Sequence, residues 1–187
     1  MLVDDKVVEP APARTRRATR SGAAPRRRRL SASLRKAVLF AHVLLSVGWV
    51  GLSATSLVLA VVTFGQSNTA IRRGVFEFVE LLSVVLGRPA AIGALVTGLV
   101  LSFGTKWGLF RYYWVLIKFV LLIVMVAAAI VLTPGFVADG IAHAGQPGSA
   151  ELATAQWGIV LLPIGHLVGL VVSTLLSVYK PGGRIRK

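Results

Sequence analysis

AVLFAHVLLSVGWVGLSATSLVLAVVTF, residues 37 to 64, runs for 28 residues without one charged side chain. About 20 residues, each rising 1.5 Å, cross the hydrocarbon core of a bilayer when wound as an α-helix. Inside lipid the backbone must satisfy its own hydrogen bonds, which only helices and closed barrels do. The stretch is too long for the h-region of a cleaved leader, which holds about 7 to 15 residues. It therefore predicts a retained membrane-spanning helix, and the rest of the chain is read outward from it.

Before it, residues 1–36 carry eleven basic residues against Asp4, Asp5 and Glu9, with Ala, Pro, Ser and Thr filling most of the remainder. A segment with so little to bury cannot offset the entropy of ordering, so a disordered basic arm is expected. After it, Arg72 and Arg73 mark a connection, and Arg73 with Glu77 has the i,i+4 spacing of a surface pair. The next apolar run, interrupted by Glu77, Glu80 and Arg88-Pro89, predicts a second span over 84–103 with an extension at the outer surface. A third span is expected over 112–133, ending at Pro134, and the Gly-, Ala- and Pro-rich residues 134–154 read as a loop. The fourth span, 155–179, is stopped by Lys180-Pro181-Gly182-Gly183, leaving a basic tail at 181–187. The fold class is all-α, a transmembrane four-helix bundle.

The whole composition agrees. Of 187 residues 55% are hydrophobic and 15% charged, whereas soluble domains run near 25% charged. The net charge of +14 is concentrated at ends and connections: with the N-terminus inside, 17 basic residues fall on the inner side and three on the outer. The positive-inside rule then puts both termini in the cytoplasm, and the expected location is a bacterial plasma membrane. Trp107, Tyr112, Tyr113 and Trp114 suit an interfacial anchor where the third helix enters. The cluster Arg26, Arg27, Arg28, Arg29, Arg35 and Lys36 beside the first helix should bind anionic lipid headgroups. No base-reading module accompanies these charges, so lipid rather than nucleic acid is the expected partner. With no cysteine and only two methionines, thiol catalysis and a thioether-rich Cu(I) site are excluded. No serine triad, phosphate-binding loop, dinucleotide fingerprint or carboxylate pair is present.

The remaining signal lies in the few polar residues within the spans. His42, Ser46, Trp49, Ser53 and Ser56 share one stripe of the first helix; His166, Gly169, Ser173 and Ser177 share one stripe of the fourth. Ala90, Ala94 and Gly98 repeat every four residues, the small-residue pattern of close helix approach. Counted along the helices, His42 lies about 8 Å and Lys118 about 9 Å from the inner boundary, so they can occupy one layer, while His166 lies about 20 Å in. His42, Lys118 and His166 are the candidate cofactor-binding residues, because ionisable groups inside a bilayer are costly and mark functional sites. Against that stand a lysine that snorkels to the headgroups and histidines that only bond serines across helices. Asp139 and His143, four apart, give two ligands and no metal site.

FAHVLLSVGWVGLSATSLVLA, with His42, Trp49 and Gly51, TGLVLS at the end of the second span, and WGLFRYYWVLIKFVLLIVMV, with Trp114 four residues before Lys118, resemble a four-helix bacterial membrane family of unassigned function. That family is similar to the CopD copper-resistance membrane domain and to HemJ-type protoporphyrinogen oxidase. The resemblance covers residues 36–180. It implies haem b near a first-helix histidine with an important lysine on a later helix, the places of His42 and Lys118, or copper handling. Four short helices leave little internal room, so haem or a substrate calls for a homodimer. Two function classes follow: a haem-linked redox protein, and a non-enzymatic bundle acting as a partner subunit or in small-solute or copper handling.

Overall fold

A computed structural model describes residues 30–104, 109–183 and 185. The helices are α1 (Ala32–Gly65), α2 (Thr69–Leu82), α3 (Arg88–Gly104), α4 (Tyr113–Val131), α5 (Thr133–Ala142) and α6 (Ala150–Tyr179), with a π turn over Ser83–Gly87 joining α2 to α3. They form four long apolar rods, Ala32–Gly65, Thr69–Gly104, Tyr113–Ala142 and Ala150–Tyr179. The chain is an all-α, membrane-spanning four-helix bundle. Large apolar side chains, among them Phe40, Val47, Val58, Val131 and Val178, stand exposed around it, as a protein does whose solvent is lipid.

The rods alternate in direction. Gln156, near the start of α6, donates to the Thr63 carbonyl near the end of α1 at 2.9 Å; Lys118, early in α4, meets Ser177, late in α6. The Ile185 amide donates to the Arg111 carbonyl at 2.9 Å. Both ends of the described chain thus lie at one face, here the termini face, opposite the far face where α1 turns into α2 and α5 into α6.

The helices outrun the apolar windows that announce them. α1 starts at Ala32, inside the segment read as arm, because Ser31 caps it by accepting from the Leu34 amide at 3.3 Å. The arm's residues 1–29, Arg26 to Arg29 included, lie outside the described residues. The expected loop 134–154 is corrected: helix runs on through Thr133–Ala142, with Pro134 in its first turn rather than after its last. Proline lacks the amide that a first turn leaves unbonded anyway, so it begins a helix as readily as it ends one. α6 begins at Ala150, capped by Ser149, and ends where Lys180 turns left-handed at φ 48° before Pro181.

At 36 residues the Thr69–Gly104 rod is about 54 Å long against an apolar core of about 30 Å. Its charges, Arg72, Arg73, Glu77, Glu80 and Arg88, all lie towards the far end, so the excess projects there. Two apolar cores result. One, in the far half, gathers Ala60, Phe76, Val79, Val137, Leu152, Ala155, Ile159 and Val160. The other, nearer the termini face, gathers Trp49, Ala90, Ala91, Ala94, Met125, Val126 and Leu170.

Candidate functional site

Between the second core and the termini face lies a polar layer. His42 on α1 faces α3, where its Nδ1 sits 2.9 Å from Thr97 Oγ1. The Thr97 hydroxyl has one proton, and it is committed to the Gly93 carbonyl at 2.7 Å within its own helix. Thr97 can then only accept from the ring, so Nδ1 carries a hydrogen. The ring also meets the backbone carbonyl of Ala94 on α3. The ring fits because position 98 is glycine: a Cβ there would stand 3.1 Å from His42 Cε1. The four-residue repeat of small residues serves the imidazole as much as the helix contact.

Lys118 on α4 reaches α6, where its Nζ donates to Ser177 Oγ at 2.5 Å. Ser177 in turn donates to the Ser173 carbonyl at 2.9 Å. The ammonium is half-buried and turned into the bundle. No hydrogen bond joins it to His42 among the described residues. Each fastens a different pair of helices, His42 α1 to α3 and Lys118 α4 to α6. Ser102 and Ser173 leave their hydroxyl oxygens buried without partners among the described residues.

His166 stands apart, deeper in the bundle. Its Nε2 is 3.1 Å from the Met125 carbonyl, and its ring lies 5.4 Å from that of Trp49. A carbonyl only accepts, so Nε2–H donates and Nδ1 holds the lone pair. No group of three or more His, Cys, Asp or Glu able to hold a metal occurs among the described residues. His143 Nδ1 lies 3.0 Å from the backbone carbonyl of Asp139; the pair closes the end of α5. Arg35 and Lys36 are exposed in the first turns of α1, and Arg111 and Lys180 are exposed at the same face.

Two features escape the sequence. Arg72, which reads as a loop charge, is buried and donates to the Ala144 carbonyl at 2.5 Å and to the Gln66 carbonyl, tying together the two far-face connections. Arg88 and Glu80, eight apart, would lie about 80° out of line on an α-helix. The wider π turn between them takes up that rotation, and Arg88 Nη2 donates to Glu80 Oε1 at 2.8 Å. Beside this pair, between the two apolar cores, a recess of about 60 Å3 is lined by Trp49, Ser53, Ser56, Ser83, Arg88, Thr133 and His166 among others. The stripe of Trp49, Ser53 and Ser56, His166 and Arg88-Pro89 are the sequence signals for the recess, and a change of helix type is not written in residue periodicity.

No protein-family model, no curated protein and no solved structure matches the chain.

Proposed function

We propose that this is a bacterial plasma-membrane protein, both termini cytoplasmic, whose polar layer at the termini face binds haem b as part of a redox role. The observation that supports it is the anchoring of the His42 ring on α3. Nδ1 is held by Thr97, whose own proton goes to the Gly93 carbonyl. Metal-ligating histidines are oriented in this way, by a hydrogen bond at the other ring nitrogen. The residues therefore fit the group that the resemblance to HemJ-type and CopD-type membrane domains implies.

In this reading His42 would hold the iron, Thr97 would keep the ring's angle, and Lys118 would hold a positive charge for a propionate or, as the neutral amine, would be a second ligand. Bound haem supplies one-electron chemistry. His166, with its donor spent on Met125 and its place deeper in the bundle, serves less well than His42. The recess of about 60 Å3 adjoins neither His42 nor Lys118, so a group of haem's size calls for a second copy of the chain. Arg35, Lys36, Arg111 and Lys180, exposed at the termini face, are placed to meet anionic headgroups, with the basic arm adding to them.

Protein purified in mild detergent from haem-replete cells should show a Soret band that His42→Ala abolishes, with membrane levels unchanged. A colourless preparation overturns the haem reading. A cysteine added at either end, in a chain that has none, should react with an impermeant maleimide only after the membrane is opened from the cytoplasmic side.

A second reading has its own observation. His42–Thr97 and Lys118–Ser177 each join two helices, which suffices for a non-enzymatic bundle, a partner subunit or a small-solute or copper-handling protein. It predicts that His42→Ala and Lys118→Met fully complement a deletion strain.

A further inference from the structure

Inside a membrane helix a serine or threonine hydroxyl ordinarily donates to a carbonyl one turn back, as Thr55, Thr63, Thr154 and Thr174 do here. Ser53, Ser56, Ser83 and Thr133 do not. None of the four has a hydrogen-bonding partner among the described residues, and their oxygens are not sealed from a water-sized molecule. They come from α1, the π turn and the start of α5, far apart in sequence, and all four line the one recess. His166 lines it too. With Nε2–H committed to Met125, its Nδ1 lone pair is the fifth open group on the same space.

Size and charge select the guest. An apolar cavity of about 150 Å3 takes benzene; a recess of about 60 Å3 is too small for any ring. It has room for roughly two to four waters, each asking for two to four polar partners, and the hydroxyls, His166 and the Arg88 guanidinium provide them. The Arg88 charge is offset by Glu80 at 2.8 Å, so the site favours neither anion nor cation. One side of it adjoins an exposed ion pair: Glu80 and Arg88 keep 29% and 22% of their side-chain surface exposed. The other side is closed. Beyond His166 towards the termini face stand Ala94, Met125 and Leu170, all buried, with the Met125 sulfur filling the place a side chain at Gly169 would need.

We propose that the recess is a hydrated, dead-ended half-pore. It takes water, or a neutral solute of water's size that both donates and accepts hydrogen bonds, from the face carrying Glu80 and Arg88, and it ends at His166 near mid-membrane.

Radiolytic hydroxyl-radical footprinting of the full chain in lipid nanodiscs tests this, since side chains beside bound water are oxidised even when buried. Trp49 and His166, only 3% and 8% exposed, should be modified several-fold faster than Met125 once rates are corrected for intrinsic reactivity. Ser56→Leu, which fills the recess, should bring both down to the Met125 level while exposed Trp157 keeps its rate. Trp49 and His166 reacting no faster than Met125 overturns the hydration, and Met125 reacting as fast as they do overturns the dead end. If Ser56→Leu fails to fold, the comparison within the wild-type chain decides by itself.

Discussion

The far half and the termini half of this bundle are held together by different physics. In the far half the Thr69–Gly104 rod outruns the apolar core of a membrane, and its α2 packs one face inward as a helix of a water-soluble protein does, while Phe78 and Leu81 stay exposed. α2 turns Phe76 and Val79 inward and Arg73 and Glu77 outward, and Phe76 is completely buried against α5, where Gly140 leaves space for its ring. Water drives that burial. In the termini half the alternative to a neighbouring helix is lipid, as apolar as leucine, so apolar contact brings no solvent-driven gain. What joins helices there is close approach over Ala90, Ala94 and Gly98 and the bonds His42–Thr97 and Lys118–Ser177. The half with the firmer cement carries no candidate ligand; the half with the candidate cofactor residues is the one whose joints are few and polar.

Removing the keystone of the far core tests this contrast most severely. Phe76→Ala should cost about 3 to 5 kcal/mol, the range for deleting a buried aromatic, read as a lowered midpoint of reversible detergent unfolding. A loss no greater than that of a typical intramembrane contact would show that the far half is not packed as in water. Arg72→Met comes next. It deletes charged hydrogen bonds to the carbonyls of Gln66 and Ala144, each class of bond worth about 1.5 to 3 kcal/mol. The α5–α6 connection, residues 143–149, should then become readily cut by added protease while the spans stay intact.

How much of this was legible beforehand follows the same division. Charge-free runs locate spans because bilayer thickness is a fixed ruler, and 37–64 alone carries that argument. Counting residues gives His42 and Lys118 similar depths. It does not give their partners: Thr97 and Ser177 are chosen by the rotation of α3 and α6, which periodicity does not fix. The far half was harder still. Pro134 reads as a stop when taken alone and proves to be a start, Arg72 reads as a loop charge and is a buried clasp, and the π turn that pairs Glu80 with Arg88 has no composition of its own. Lipid leaves its mark on a sequence; the packing at the far end rests on partners such as Arg72 with Ala144 and Gln156 with Thr63, 72 and 93 residues apart, which spacing does not announce.

In the termini half the expected effects are smaller. Thr97→Val keeps the shape and removes the acceptor of His42 Nδ1–H. Polar contacts between membrane helices average about 0.6 kcal/mol and reach about 1.7, so stability should fall by that much and no more. The spectroscopic effect should be larger than the thermodynamic one: the ring loses the bond that holds it at Nδ1, and any Soret band should weaken or shift, with Thr97→Ser restoring it. An unaltered band in Thr97→Val would mean that the ring is held elsewhere.

The least effect belongs to the charges that sequence spacing made most conspicuous. Arg73 Nε and Glu77 Oε1 are 3.0 Å apart, i,i+4 on α2, with side chains 58% and 53% exposed. Water screens such a pair and the two long side chains lose freedom to form it, so a double-mutant cycle with Arg73→Ala and Glu77→Ala should give a coupling of about 0.3 to 0.5 kcal/mol, shrinking in high salt. If the coupling instead approached the cost of Phe76→Ala, the far half would owe its firmness to charge, and its likeness to a water-soluble core would fail. A value within the expected range leaves Phe76 and the apolar cluster around it as the reason this end of the bundle holds.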